Sequence, residues 1–365
     1  MKLIIVNSVF NLLVAVQLRL TYLKDDEVDI IISDETPSFH HLYNRNVLQN
    51  VFTNIYFAEV KKYQVNKKKF FFPQYALSEI LKESPKSYSD IFFWNPDFII
   101  YNYYKWYKTI NFKVIYHLYG DAMSSYILDA PDGNKNDGMY VGNKKDILNF
   151  LDKWLFGYTR IADLNYDYYI FKKEMFLKNT NRNLISIPTI DLKNKNILRL
   201  YNEIYDYHNY FINQKYIYLD TARDGYITNE DVLGILKILI EYLGRENIIV
   251  KPHPRVEEKI YMQLGIEVFD RNVPWEIYCM NNQMSNKIVF CSLTSAAVMP
   301  YILFEKKYEI VSVCDMIPNT HPHLIDLKMI YEIINKREHN IKFIPDRTGL
   351  IRYLEKLVIK ESEKC

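Results

Sequence analysis

Short apolar runs rich in Ile, Val, Tyr and Phe recur along the chain, separated by longer stretches in which apolar positions return every three to four residues. The short runs read as buried strands and the longer stretches as helices. Their alternation predicts parallel sheets covered by helices. In the first half, strands are predicted at Leu3–Val6, Val28–Ile32, Asn54–Phe57, Asp90–Phe93, Lys113–Tyr116 and Tyr168–Phe171, with helices such as Ile99–Tyr107 and Lys145–Phe156 between them. Lys193–Asn213 is polar, holds no strand and reads as a helical connector. A second series follows, with strands at Tyr216–Leu219, Ile248–Lys251, Lys287–Cys291 and Tyr308–Val313. Helices are predicted at Asn229–Leu243, Val256–Leu264, Pro274–Asn281 and Thr294–Leu303, and a last one at Arg347–Ile359. No internal repeat or low-complexity linker interrupts the pattern. The expected fold is α/β, with two doubly wound Rossmann-type domains facing a central cleft. They span residues 1–195 and 196–346, and a C-terminal helix in 347–365 is free to pack back on the first domain. Ligands of such sheets bind beyond the carboxyl ends of the strands, so functional residues are expected just after strands.

A length of 365 residues suits two domains, and 49% apolar residues suffice for two cores. The 46 basic and 44 acidic side chains nearly cancel, to a formal +2, which gives no electrostatic ground for binding nucleic acid. The 32 Tyr and 20 Phe accompany a richness in Asn, Lys and Ile and read as codon bias rather than stacking platforms. Cys279, Cys291, Cys314 and Cys365 form no CxxC pair and fit no common zinc spacing, so reduced, mostly buried thiols of a cytoplasmic protein are expected. The apolar start, Met1–Val16, is interrupted by Asn7, Ser8 and Asn11 and closed by Gln17 and Arg19, and no small-residue cleavage site follows. It reads as a buried strand running into a helix. No stretch reaches the roughly 18 to 20 apolar residues of a membrane span, so any membrane contact is expected to be peripheral.

Four segments carry chemistry, and each also has an ordinary structural reading. Lys251-Pro252-His253-Pro254-Arg255 follows a strand; the prolines fix the backbone around an imidazole set in a cationic corner suited to a phosphate or oxyanion. It is equally a rigid strand-ending turn. Cys291-Ser292-Leu293-Thr294-Ser295-Ala296-Ala297 joins a strand to a helix, where hydroxyls and free N–H groups make an anion site, or simply an N-cap. Pro274-Trp275-Glu276 opens a helix and puts a carboxylate in its first turn, placed for ribose hydroxyls or merely for helix stability. Gly120-Asp121-Ala122, trailed by Tyr126, puts a carboxylate between two small residues, as a general base or a turn aspartate.

In order and spacing these segments resemble the bacterial sialyltransferases that decorate lipooligosaccharides and capsules, including the capsular polysialyltransferases. Those families carry an acidic-acidic-Gly motif in the first domain. A Lys-x-His-Pro motif, a Pro-Phe-Glu helix start and a Ser/Thr pair follow in the second. Gly120-Asp121-Ala122 with Tyr126 falls on the first, Lys251-Pro252-His253-Pro254 on the second, Pro274-Trp275-Glu276 on the third and Thr294-Ser295 on the fourth. Asn7-Ser8-Val9-Phe10-Asn11-Leu12-Leu13 is similar to that family's first strand-to-helix turn. The likeness runs over nearly the whole chain as short anchors. Two departures stand out: Gly120 replaces the first acidic residue, and Ala122 the glycine. A second pair, His321-Pro322 before His323, lacks the preceding Lys and follows no clear strand.

The resemblance implies a GT-B-like fold and metal-independent transfer of sialic acid from CMP-sialic acid with inversion, and no cofactor. It makes His253 the donor to the leaving phosphate and Asp121 the base toward the acceptor hydroxyl. Thr294, Ser295 and Ser292 would share the phosphate charge, Glu276 would hold the ribose, and Lys251 and Pro254 would shape the phosphate corner. Gly120, Asn7 and Ser8 would line the substrate site of the first domain. The implied partners are a nucleotide-sugar donor and a glycan acceptor. The expected place is the cytoplasm, with peripheral contact at the inner face of the cell membrane and a homodimer left open. A CDP-glycerol or CDP-ribitol phosphotransferase of cell-wall polymer synthesis is the nearest alternative, and a non-catalytic carbohydrate-binding relative the next. Acceptor choice is expected in first-domain loops such as Asp129–Asn143, rich in Asp, Gly and Asn.

Overall fold

The computed structural model describes residues 1–34, 43–61, 72–95, 97–127, 167–177, 180, 182–223, 227–317 and 322–363. The chain divides into two compact units, Met1–Ile190 and Asp191–Cys365.

The first unit is built on a seven-stranded parallel sheet in the order β3-β2-β1-β4-β5-β6-β7. β1 (Lys2–Val6) is an inner strand, third of the seven, and its apolar residues Leu3–Val6 are all buried, as a strand covered on both faces requires. The others are β2 (Val28–Ser33), β3 (Ile55–Ala58), β4 (Asp90–Phe93), β5 (Ile115–Tyr119), β6 (Asp167–Phe171) and β7 (Leu184–Ile187). Helices α1 (Val9–Leu20), α2 (Arg45–Leu48), α3 (Pro73–Leu81), α4 (Phe98–Thr109) and α5 (Ser124–Ile127) connect them. The apolar start of the chain is thus β1 and α1. Ser8 caps α1 by accepting from the Asn11 N–H (3.1 Å), and a continuous run from Asn11 to Leu18 is buried.

Many tyrosines are core material here. Tyr88, Tyr103 and Tyr107 are among the largest fully buried side chains. Their hydroxyls need partners once buried. Tyr88 donates to the wholly buried Asp29 (3.0 Å), which also accepts from Asn54 Nδ2 (2.7 Å), and the Tyr107 hydroxyl accepts from the Tyr88 N–H (2.9 Å).

The second unit has a six-stranded parallel sheet in the order β10-β9-β8-β11-β12-β13. Its strands are β8 (Tyr216–Leu219), β9 (Ile248–Lys251), β10 (Glu267–Val268), β11 (Ile288–Cys291), β12 (Glu309–Ser312) and β13 (Ile341–Phe343). Its helices are α6 (Lys195–Ile204), α7 (Asn229–Leu243), α8 (Lys259–Met262), α9 (Trp275–Asn281), α10 (Ser295–Phe304), α11 (Pro322–Glu338) and α12 (Arg347–Ser362). Thr228 and Asp231 form a capping box at the start of α7. The C-terminal helix α12 packs on α7, with Leu350 and Leu354 in the core of this second unit.

Both units are therefore doubly wound. Several boundaries differ from the sequence reading. β5 begins later than expected and runs to Tyr119, so Gly120 leaves the strand directly. The helix expected over Val256–Leu264 is reduced to α8, because Val256 is still in the turn, its N–H donating to the His253 carbonyl (2.9 Å). The connector is helical only through α6; Asp206 and Asn209 then take positive φ (49° and 32°) and turn the chain. β7, β10 and β13 were not anticipated, being short edge or near-edge strands, nor were α3 and α11. The helix expected at Lys145–Phe156, the loop Asp129–Asn143, His321 and Cys365 lie outside the described residues. Cys279, Cys291 and Cys314 carry free thiols, the first two buried. Among the described residues no helix is long and apolar enough to cross a membrane.

Candidate functional site

In a doubly wound sheet the binding crevice forms where the strand order reverses. That point lies between β1 and β4 in the first unit and between β8 and β11 in the second. Most candidate residues follow one of these strands or a neighbour; Glu276 comes after β10, the edge strand beyond β9.

In the first unit, Gly120 and Asp121 leave β5. The Gly120 N–H extends the ladder to the Tyr169 carbonyl (2.8 Å). A Cβ added at Gly120 would stand 3.3 Å from Ile170 Cγ1 and 3.4 Å from Ser125 Oγ. Such contacts are tight, so an acidic side chain at this position would have to displace its neighbours; Asp121 alone carries the charge. The Ser125 hydroxyl staples the Asp121 turn, accepting from the Asp121 N–H and donating to the Asp121 carbonyl (2.6 Å). Tyr126, fully buried, donates to the Phe171 carbonyl (2.6 Å), and so ties the turn to β6.

The half-buried Asp121 carboxylate accepts from Asn11 Nδ2 at 2.9 Å. Asn11 is wholly buried on α1, and its own carbonyl oxygen has no hydrogen-bond partner. An unpaired buried acceptor costs on the order of 1–3 kcal/mol, so the amide is held there by its donor side. Asn7 and Ser8, expected to face substrate, build the turn that delivers Asn11: Asn7 Oδ1 accepts from Trp94 Nε1 (2.9 Å) across the strand-order reversal, and Ser8 caps α1. Sequence reasoning quoted Asn11 but gave it no role. The signal available was an amide in the first turn of an apolar helical run that directly follows a strand.

Ala122 sits at φ 39°, in the left-handed region that favours glycine. The backbone thus holds an alanine in a conformation that glycine adopts without strain. A left-handed L-residue costs about 1–2 kcal/mol, and glycine loses roughly 0.5–1 kcal/mol more in chain entropy on folding. Ala122→Gly is expected to stabilise the first unit by roughly 0.5–1 kcal/mol net, which a urea titration followed by circular dichroism would read as a raised midpoint at unchanged slope. A lowered midpoint would contradict the strain.

In the second unit, Leu219, Lys251 and Cys291 share one register row, so the exits of β8, β9 and β11 lie level. His253 stands two residues beyond that row. Its Nδ1 accepts from the Arg255 N–H at 3.2 Å. A backbone N–H can only donate, so a neutral imidazole in this turn carries its proton on Nε2. Pro252 is buried and anchors the turn; Pro254 and Arg255 are exposed.

The three motifs of this unit are physically joined. Lys251 Nζ donates to the Val273 carbonyl (3.0 Å) and the Asp270 carbonyl (3.3 Å) and lies 4.7 Å from the Phe269 ring centre, so the lysine straps down the segment leading into α9. Its withdrawal from water pulls the ammonium pKa down to about 8, against the opposing pull of Glu276 and Asp270. Burial likewise pushes the Glu276 carboxyl above its ordinary value, although its own N–H and the Lys251 charge act to lower it. Trp275 is buried, stacks on Tyr278 (5.6 Å) and donates to the Ala296 carbonyl (2.9 Å), which fixes the start of α9 against the start of α10.

Thr294 is the N-cap residue of α10, and its side chain makes no capping hydrogen bond. Its backbone is held from beneath by Tyr331, whose hydroxyl donates to the Thr294 carbonyl (2.8 Å). Ser295, half-buried, is the first residue of α10. Ser292 differs: it is 1% exposed, its hydroxyl is hydrogen-bonded to that of Tyr218 (3.2 Å), and its carbonyl accepts from Ser312 (3.0 Å), so it faces the core.

Missed altogether was the cluster that follows β8. Asp220, 4% exposed, pairs with Arg223 Nη1 (2.8 Å) and accepts from the Tyr261 hydroxyl. The signal was an Asp-Thr-Ala-Arg sequence just after the central strand of the sheet.

No protein-family model and no curated protein matches the chain. Solved structures do. The glycotransferase of kitacinnamycin superposes with a TM-score of 0.52 over 98% of this chain and 90% of its own, at 10% identity. The UDP-GlcNAc 2-epimerase of Methanocaldococcus jannaschii gives 0.49 at 12% identity, covering 98% and 93%. The GT-B domain of a sialyltransferase from Photobacterium damselae gives 0.47 at 14% identity, covering 94% and 100%. The fold is GT-B. At these identities the likeness concerns the path of the chain and not its chemistry. The residues of the second unit supply a hydrogen-bond donor and a helix N-terminus, which suit an anion; those of the first supply a carboxylate held by an amide, which suits a proton acceptor.

Proposed function

We propose that the chain is an inverting, metal-independent glycosyltransferase that moves sialic acid from CMP-sialic acid to a terminal sugar of a lipooligosaccharide or capsular glycan. The observation that carries this reading is the Arg255 N–H on His253 Nδ1, which leaves Nε2 as the proton-bearing nitrogen at a strand exit. In the reaction the bond between the anomeric carbon and the phosphate oxygen of CMP breaks, charge collects on the phosphate, and the sugar becomes oxocarbenium-like. His253 donates to that phosphate. The start of α10, with Thr294 and Ser295, shares the charge. Asp121 takes the proton of the acceptor hydroxyl as the new glycosidic bond forms, and Asn11 orients the carboxylate. Glu276 holds the ribose. Protein donors neutralise the leaving group, so EDTA is expected to leave the rate unchanged.

The decisive measurement is hydrolysis of CMP-sialic acid against CDP-glycerol without acceptor. Release of CMP from the sialyl donor alone supports the reading, while release from CDP-glycerol alone gives the chain to the phosphotransferases. A melting temperature unmoved by millimolar CMP would instead favour a non-catalytic carbohydrate-binding protein, since a ligand of the folded state must raise it.

Lys251 adds a pH dependence. Its depressed pKa of about 8 means that its charge is present below that pH and lost above it. CMP affinity is expected to fall between pH 7 and pH 9.5 by about fivefold, a Coulomb loss on the order of 1 kcal/mol in a partly hydrated corner. Calorimetric titrations of CMP across that range check it. Lys251→Met should bind more weakly and show no such fall, and an equal fall in that variant would remove Lys251 from the phosphate corner.

A further inference from the structure

The turn that carries His253 leaves the sheet at Lys251 and re-enters regular structure at α8, and both ends are fastened to one buried residue. At the entrance, the Asp220 N–H donates to the Lys251 carbonyl at 3.0 Å, which prolongs the β8–β9 ladder by one bond. At the exit, the hydroxyl of Tyr261, a fully buried residue of α8, donates to Asp220 Oδ2. The other carboxylate oxygen is occupied by Arg223 Nη1 (2.8 Å), and Arg223 also reaches the Tyr261 hydroxyl through Nη2 (3.3 Å) and Asn229 Oδ1 through Nε (3.0 Å). Asp220, Arg223 and Tyr261 thus close a triangle, which Arg223 links to Asn229, the residue that opens α7. Between the two fastened ends, Pro254 and Arg255 are exposed, the Val256 N–H closes the turn on the His253 carbonyl (2.9 Å), and Arg271 holds the Val256 carbonyl and the Glu258 carboxylate.

We propose that Asp220 is the positioning residue of the His253 turn, holding the imidazole in the Nε2–H form and at a fixed height over the strand exits, with Tyr261 as the arm through which it acts. The proposal rests on the role of His253 given above, but its geometry does not. Asp220 is buried and each of its oxygens already accepts from a protein donor, so Asp220 acts through the turn and not on substrate. Displacing a catalytic group by about 1 Å costs on the order of 10²-fold; a turn freed at one end is expected to lose roughly tenfold or more in kcat while the donor KM changes less than about twofold.

The test uses the full-length protein with 15N-labelled histidine. The ring signals of His253 are identified by their loss in His253→Gln. Two variants are compared with the parent: Tyr261→Phe, which removes one hydroxyl, and Asp220→Asn, which keeps the shape. In the parent, long-range proton–nitrogen correlation is expected to show Nε2 protonated. In both variants the two ring nitrogens are expected to move toward each other as the tautomers mix. Leu239→Ala, a core change on α7 that removes none of these hydrogen bonds, serves as a control for simple loss of stability and should leave the His253 signals in place. Should Asp220→Asn fail to fold, Tyr261→Phe decides alone. Unmoved His253 nitrogens in folded Tyr261→Phe overturn the proposal, as does an equal movement in Leu239→Ala. The readout needs no sugar donor. Shifted nitrogens in a protein that leaves CMP-sialic acid intact would uphold the positioning role and sink the substrate reading, while unshifted nitrogens in an active transferase would do the reverse.

Discussion

His253→Ala is expected to lower sialyl transfer from CMP-sialic acid by about 10²–10³-fold, the usual cost of removing one preorganised donor to a developing oxyanion. The loss should fall on kcat, because the charge that the imidazole meets grows only as the bond to CMP breaks. His253→Gln, which keeps an N–H donor of similar reach, should recover part of it. Because the side chain stands on a half-exposed turn, outside either core, the folded state should survive the change, and a melting curve would confirm that. Full activity in His253→Ala would dismiss the imidazole from the reaction and turn attention to the start of α10.

The second large effect concerns Asp121. Asp121→Ala should reduce transfer by roughly 10²–10⁴-fold, the range of general-base assistance. CMP binding should be retained, since every residue assigned to the nucleotide belongs to the second unit. The pair of measurements separates the two halves of the reaction. Donor hydrolysis in the absence of acceptor needs the phosphate donor but not this base, so Asp121→Ala should release CMP at a rate much nearer the parent's than its transfer rate. Transfer at the parental rate would assign the carboxylate to the turn alone. Asn11→Leu is its companion: the carboxylate loses its one amide donor from α1 and is expected to work less well without disappearing.

Much of this was legible in the linear chain. Apolar runs such as Leu3–Val6 and Ile248–Lys251 announce buried parallel strands, and the rule that ligands meet strand exits picked out His253 and Asp121 without coordinates. What could not be read depends on strand order. The bond from Asn11 to Asp121 exists because β4 and β5 follow β1 in the sheet, and the triangle of Asp220, Arg223 and Tyr261 because β8 neighbours β9. No spacing rule links residues so far apart. Ser292 shows the converse: its place in a hydroxyl-rich strand-to-helix segment suggested a ligand, but its side chain lies against Tyr218 in the core. Ala122 misled in a third way, since the residue looks like a mild replacement of glycine while its backbone retains the conformation that glycine serves. Short elements such as β10 and α8 carry too few residues for any periodicity to register.

The all-parallel sheets bear on how the protein is made. β1, apolar on both faces, pairs with β2 on one side and with β4 on the other, where Lys2 meets Asp90. At ~5–20 residues per second, a ribosome delivers β4 roughly 4–18 s after β1. Through that interval one edge of this apolar strand stays open, and its backbone groups are a template for any other extended chain nearby. β8 repeats the situation, waiting for β11 while β9 is already in place. The nascent chain is most prone to self-association in those two intervals, each of which ends when its own unit's strand-order reversal forms.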